Sequence, residues 1–113
     1  MDIVKKNLFE EMASIKQPYK PINLAVLNER AWVELSLHEG PFPLGMHYHE
    51  NDDELFICIK GEVEIKLENS SVILKEGDML HLKAGQKHCP VAENPCYLIR
   101  IKTVPHMEAI TEK

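Results

Sequence analysis

A chain of 113 residues, 44% hydrophobic and 27% charged, can bury one core and is too short for a second domain beside it. Thirteen basic against eighteen acidic residues give a net charge of −5, and no Lys/Arg cluster is interleaved with aromatics, so a nucleic-acid partner is not expected. The N-terminal run has no apolar signal-peptide core, no stretch approaches a membrane span, and three cysteines without paired spacing read as free thiols; the expectation is a cytoplasmic protein with no membrane partner.

The first element is a short helix, because Leu8, Met12 and Ile15 recur at helical spacing and Pro18 forbids continuation. Residues 1–19 therefore form a helix and arm. From Pro21 the pattern turns to period two, with Ile22, Leu24 and Val26, then Val33, Leu35 and Leu37, then Val63, Ile65 and Leu67 alternating with polar neighbours, which predicts half-buried strands. Turn chemistry recurs at Asn28-Glu29, Gly40-Pro41-Phe42-Pro43, Asn51-Asp52, Gly61, Asn69-Ser70, Gly77-Asp78, Gly85 and Asn94-Pro95, a spacing that reads as a sandwich or barrel over residues 20–104. Residues 105–113 read as a frayed tail or a short helix.

Four residues within this pattern make a candidate metal site. His47 and His49 stand at i and i+2, so in an extended segment both imidazoles leave the same face. Glu50-Asn51-Asp52-Asp53 make a reversal, their charges read as solvated, and Glu54 then opens the returning strand beside the histidines. A second segment, Gly77 to His88, is a short apolar strand framed by glycine turns that can deliver His88 as a fourth ligand. His38, His81 and His106 read as ordinary surface or core histidines, and Cys89 as packing.

These segments resemble the cupins, which share a first motif G-x5-HxH-x3,4-E-x6-G and a second G-x5-PxG-x2-H-x3-N. His47, His49, Glu54 and Gly61 fit the first, with Gly40 one residue too far away; Gly77, Gly85 and His88 fit the second, with Lys83 in place of proline and Ala92 in place of asparagine. The likeness runs from about Gly40 to Ala92. It implies an all-β, cupin-type jelly-roll β-barrel, preceded here by the short helix, that holds one divalent metal among three histidines and a glutamate. Within the family the chain most resembles small single-domain members grouped with mannose-6-phosphate isomerase-like proteins. The isomerase activity itself is not implied, since those enzymes draw sugar-phosphate contacts from segments this chain does not possess.

Three imidazoles and a carboxylate suit Mn, Fe, Co, Ni, Cu or Zn, while Mg and Ca would want mostly oxygen ligands. Strand parity turns Phe56 and Cys58 inward as pocket walls, Cys58 as a small hydrophobe, and sends Tyr48 and Arg100 outward. Mostly apolar walls favour a small molecule that chelates the metal by one or two oxygens. The same parity sends Leu44, Met46, Leu55, Ile57 and Ile59 to the outer face, where the helix, the first strand or a second subunit must cover them; a homodimer is expected. The functional expectation is a metal-dependent enzyme acting on a small oxygenated metabolite, of dioxygenase, isomerase or lyase type, the alternative being a non-catalytic small-ligand-binding or sensing module.

Overall fold

The computed structural model describes residues 3–103 and 109–111, with side chains over 3–103. The described residues form one helix, α1 (Leu8–Ser14), and nine strands: β1 (Ile22–Leu27), β2 (Ala31–Pro41), β3 (His47–His49), β4 (Glu54–Lys60), β5 (Glu62–Leu67), β6 (Ser71–Lys75), β7 (Met79–Leu82), β8 (His88–Thr103) and β9 (Ala109–Thr111). The strand pairings are antiparallel throughout, as expected of an all-β jelly roll with a short N-terminal helix. No described helix is long and apolar enough to cross a membrane.

Helix α1 starts where the Asn7 carbonyl oxygen of the side chain accepts from the backbone N–H of Phe9 at 3.0 Å and Glu10 at 3.1 Å, capping two donors that the first turn cannot pair. Met12 of the helix and Ile15 at its C-cap are buried against Leu35 and Leu37 of β2, with Ile22, Leu24, Ile59, Tyr97 and Ile99 packed around them. A second cluster, containing Phe56, Cys58, Val63, Ile65, Leu74, Leu82, Ala92, Cys96 and Leu98, fills the other side of the sheet.

Strand β8 organises the fold, because it pairs with β2, β3, β4 and β5 along its 16 residues. Two expected reversals are instead irregularities within strands. Gly40 lies inside β2, which continues to Pro41, and Glu93-Asn94-Pro95 form a bulge in β8, since His38 pairs with Cys96 and Gly40 with Ala92. Three residues thus oppose the single residue Glu39. The extra length is even, so alternate residues keep one face from His88 to Lys102. The tail expectation is also corrected, for Ala109–Thr111 pair with β3 as a strand.

The apolar stripe of β2 does not face the same cavity as His47, His49 and Glu54. Leu35 and Leu37 point under α1, while Ser36 and His38, both fully buried, and Glu34 take the opposite face. Polar alternates that read as solvent-facing in the sequence therefore lie inside.

Candidate metal centre

Strand β3 carries His47 and His49, both buried, and pairs His47 with His88 at the start of β8. This register brings the two rings to a centroid distance of 4.3 Å. The loop before β8 closes on β3 through the Gly85 N–H, which donates to the His49 carbonyl at 2.7 Å. Glu54 is the first residue of β4 and is placed by its neighbour Asp53. The Asp53 carboxylate accepts from the Ala84 N–H at 3.0 Å and meets His81 Nε2 at 2.8 Å, while the Asp53 N–H donates to Thr103 Oγ1 at 3.0 Å. His81 is thereby an exposed brace for that loop.

One nitrogen from each of His47, His49 and His88 falls within 4.8 Å of the others, a cluster that could hold a metal ion. Two of the rings are oriented by backbone carbonyls: Nδ1 of His47 lies 2.9 Å from Gly45 O, and Nδ1 of His88 lies 2.9 Å from Gln86 O. A ring that donates from Nδ1 keeps Nε2 as a lone-pair donor for a metal. Burial lowers the pKa of His47 to about 4, the Gly45 carbonyl only partly opposing it, and burial lowers that of His49 as well. Both are therefore neutral near pH 7, as ligation requires.

Glu54 stands beside these rings. Its Oε1 stands 3.1 Å from His88 Nε2 and 3.5 Å from His49 Nε2. Burial raises its pKa, but the His88 ring and the positive charge of Arg100 outweigh that and hold the carboxyl at about 2. With Nδ1 of His88 turned to the Gln86 carbonyl, its Nε2 is left facing the Glu54 carboxylate, and neither Glu54 Oε1 nor His88 Nε2 has a hydrogen-bond partner despite complete burial. A cation between them would satisfy both buried atoms, so the residues fit a metal. His47, His49 and His88 would hold it with Glu54 beside them, and a divalent transition ion there would polarise an oxygen ligand or lower the pKa of a bound water.

The cavity at this cluster has a volume of about 110 Å³ and is lined by Phe42, Leu44, Phe56, Arg100 and Lys102 together with His47, His49 and Glu54. Phe42 stacks on His47 at 4.9 Å, and Phe56 meets His88 edge-on at 5.9 Å, so apolar rings shield two of the three imidazoles from water. Phe56 thus lines the cavity. Cys58 lies deeper, in the apolar core 3.7 Å from the Cys96 thiol, and is not among the residues lining that cavity. Leu44, expected outside, reaches the cavity because Pro43 to Met46 form a loop rather than a continuation of the strand.

Arg100 is the main correction. It points inward, 3.6 Å from Glu34 and 3.5 Å from Glu54, and Lys102 reaches Glu34 at 3.4 Å. The cavity wall is therefore half polar rather than mostly apolar. The signal was available in the chain: counting alternate residues from His88 leads to Leu98, Arg100 and Lys102 on the ligand face, but the assumed turn at Asn94-Pro95 interrupts the count. Asp52 is likewise buried, against the expectation of a solvated charge run. His38 is a core histidine whose Nε2 lies 3.0 Å from Ser36 Oγ, and His106 lies outside the described residues.

The chain belongs to the cupin domain family, whose profile matches residues 33–102. It is similar to the uncharacterized protein YdbB of Bacillus subtilis (strain 168), with 27% identity over 84 residues that cover 74% of this chain and 72% of that one. Among solved structures it resembles a cupin-2 domain containing protein from Shewanella frigidimarina, at TM-score 0.81 and 26% identity over 88% of this chain and 94% of the other. It also shares the fold of protein NMB1881 from Neisseria meningitidis, at TM-score 0.79 and 24% identity, covering 89% of this chain and all of that one.

Proposed function

We propose that this cupin is a metal-dependent enzyme acting on a small oxygenated metabolite, of dioxygenase, isomerase or lyase type. One observation carries the reading: three buried imidazoles converge on a common point, two of them oriented by backbone carbonyls, with an ionised and unsatisfied carboxylate oxygen facing the same point. A purely structural cluster would be expected to satisfy those acceptors within the protein. The small cavity beside them leaves room for a ligand of few atoms, at about 30 Å³ of liquid volume per water for comparison.

The test is elemental analysis of protein purified without chelator, alongside the His47→Ala/His49→Ala double variant. Near one transition-metal ion per chain, lost in the variant while the far-ultraviolet spectrum stays that of a β-protein, is the expected result. No metal in either protein after reconstitution would leave a small-ligand-binding module as the better account.

The proposal extends to assembly. Helix α1 and β1 cover the outer face near Leu35, Ile59 and Ile99, but the strip containing Leu55, Met79 and Ile101 is left uncovered by the described residues, with Met79 63% exposed. A second copy of the chain is the cover we propose for it.

A further inference from the structure

We propose that Arg100 and Lys102 form a carboxylate-holding wall of the metal cavity, so that the ligand taken there is a small 2-oxo or 2-hydroxy carboxylate. This rests on the metal reading above and narrows its substrate class. The two cations sit at i and i+2 on β8 and so share one face, and both line the cavity with His47, His49 and Glu54. Their side chains are only 13% and 9% exposed.

Burial makes the charge balance decisive. The acidic partners that approach them are Glu34 and Glu54, and Glu34 Oε1 is shared, 3.6 Å from Arg100 and 3.4 Å from Lys102. These are long contacts. Arg100 Nε and Glu34 Oε1 are buried without a hydrogen-bond partner, although a guanidinium offers a planar fork suited to a bidentate carboxylate. With two carboxylates against two cations, this part of the cavity is neutral. A divalent ion among the imidazoles adds two positive charges in a site with little access to water, and such an excess calls for an anionic ligand.

Glu54 indicates the span that this ligand would bridge. One of its oxygens stands 3.1 Å from His88 Nε2 and the other 3.5 Å from Arg100 Nε, so the guanidinium and the ligand nitrogens are a single carboxylate apart. A substrate carboxylate that meets the ion can therefore also reach Arg100, and an oxygen on the adjacent carbon can complete a chelate. A larger depression of about 550 Å³, lined by Glu62, Glu64 and Glu93, lies elsewhere and is acidic, the wrong sign for such a ligand.

The experiment uses the full chain loaded with one equivalent of Mn(II) and titrated calorimetrically with oxalate, with neutral oxamide as the uncharged isostere. Oxalate should bind and oxamide should not. Arg100→Met should weaken oxalate by roughly 10- to 100-fold, the range for losing a charged hydrogen-bond pair, with the metal stoichiometry unchanged. Lys102→Met should weaken it as well, and Arg100→Lys, which keeps the charge and loses the fork, should fall between wild type and Arg100→Met. If Arg100→Met fails to fold, Arg100→Lys decides, and wild-type affinity there overturns the proposal. Equal oxalate affinity in wild type and both methionine variants, equal binding of oxamide, or loss of the metal in Arg100→Met also overturns it. Metal bound with no oxalate binding sinks this inference alone, whereas a wild-type chain that takes no metal sinks the metal reading and this one with it.

Discussion

His38 is a buried imidazole outside the ligand cluster, and it gives the chain a pH dependence of its own. Burial, helped by repulsion from Arg100 and partly opposed by Glu54, lowers its pKa to about 3, so it stays neutral in the fold while an unfolded chain protonates it near 6.5. The unfolded state then binds more protons between those values, and stability falls as pH drops through that window, by up to about 1.4 kcal/mol per pH unit from this residue. His47, lowered to about 4, acts in the same sense. In chelator-treated protein, His38→Gln should flatten the slope of unfolding free energy against pH between about 6.5 and 4. Urea titrations at several pH values measure it, and an unchanged slope would mean that His38 is not the buried neutral group described here. At this scale the His47, His49 and His88 cluster was legible because HxH and the distant histidine stand at motif spacing, with Glu54 beside them. Arg100 and Lys102 were not, because their facing depends on an unbroken parity across residues 93–95 that local turn chemistry argues against.

The strands and the helix were legible from period and capping, whereas the irregularities between them depend on what each turn meets in space. Gly61 joins β4 to β5 at φ +87°, and a Cβ there would stand 2.6 Å from Pro95 O and 3.1 Å from Cys96 Cα, both backbone atoms of β8. Gly77 has nearly the same φ, +90°, with nothing within 4 Å of its Cβ position. The two glycines look alike in sequence and differ only in their surroundings. Gly77→Ala should cost about 1–2 kcal/mol, the left-handed backbone penalty alone. Gly61→Ala must also push β8 at its bulge, and should cost about 2 kcal/mol more than Gly77→Ala. Chemical denaturation of both variants tests the difference, and equal losses would show that the Pro95 carbonyl yields freely. The same bulge sets Cys96, Leu98, Arg100 and Lys102 on the cavity side, so a displaced β8 in Gly61→Ala should also weaken metal retention.

For the whole molecule, an all-β sandwich or barrel followed from alternation and turn spacing, and the likeness to the cupins chose the barrel, which the fold bears out. The partner of its outer face did not follow, because alternation identifies an apolar face without saying what covers it. Part of that face belongs to α1: Met12 and Ile15 bury Leu35 and Leu37. The remainder, Leu55, Met79 and Ile101, lies on three neighbouring strands, edged by Asp53, His81 and Thr103. An apolar centre with a polar rim is the usual anatomy of a protein interface, and a twofold axis through the strip would bring Met79 of one chain against the same strip of the other. Met79→Glu places a charge on that strip while leaving the monomer's packing intact, since the residue is 63% exposed. Sedimentation equilibrium should give a dimer for the wild-type chain and a monomer for Met79→Glu, with the metal content of the two proteins equal because the centre lies on the opposite face of β4. A wild-type chain that sediments as a monomer across the micromolar range, or a Met79→Glu variant that stays dimeric, would mean that this strip does not pair two copies.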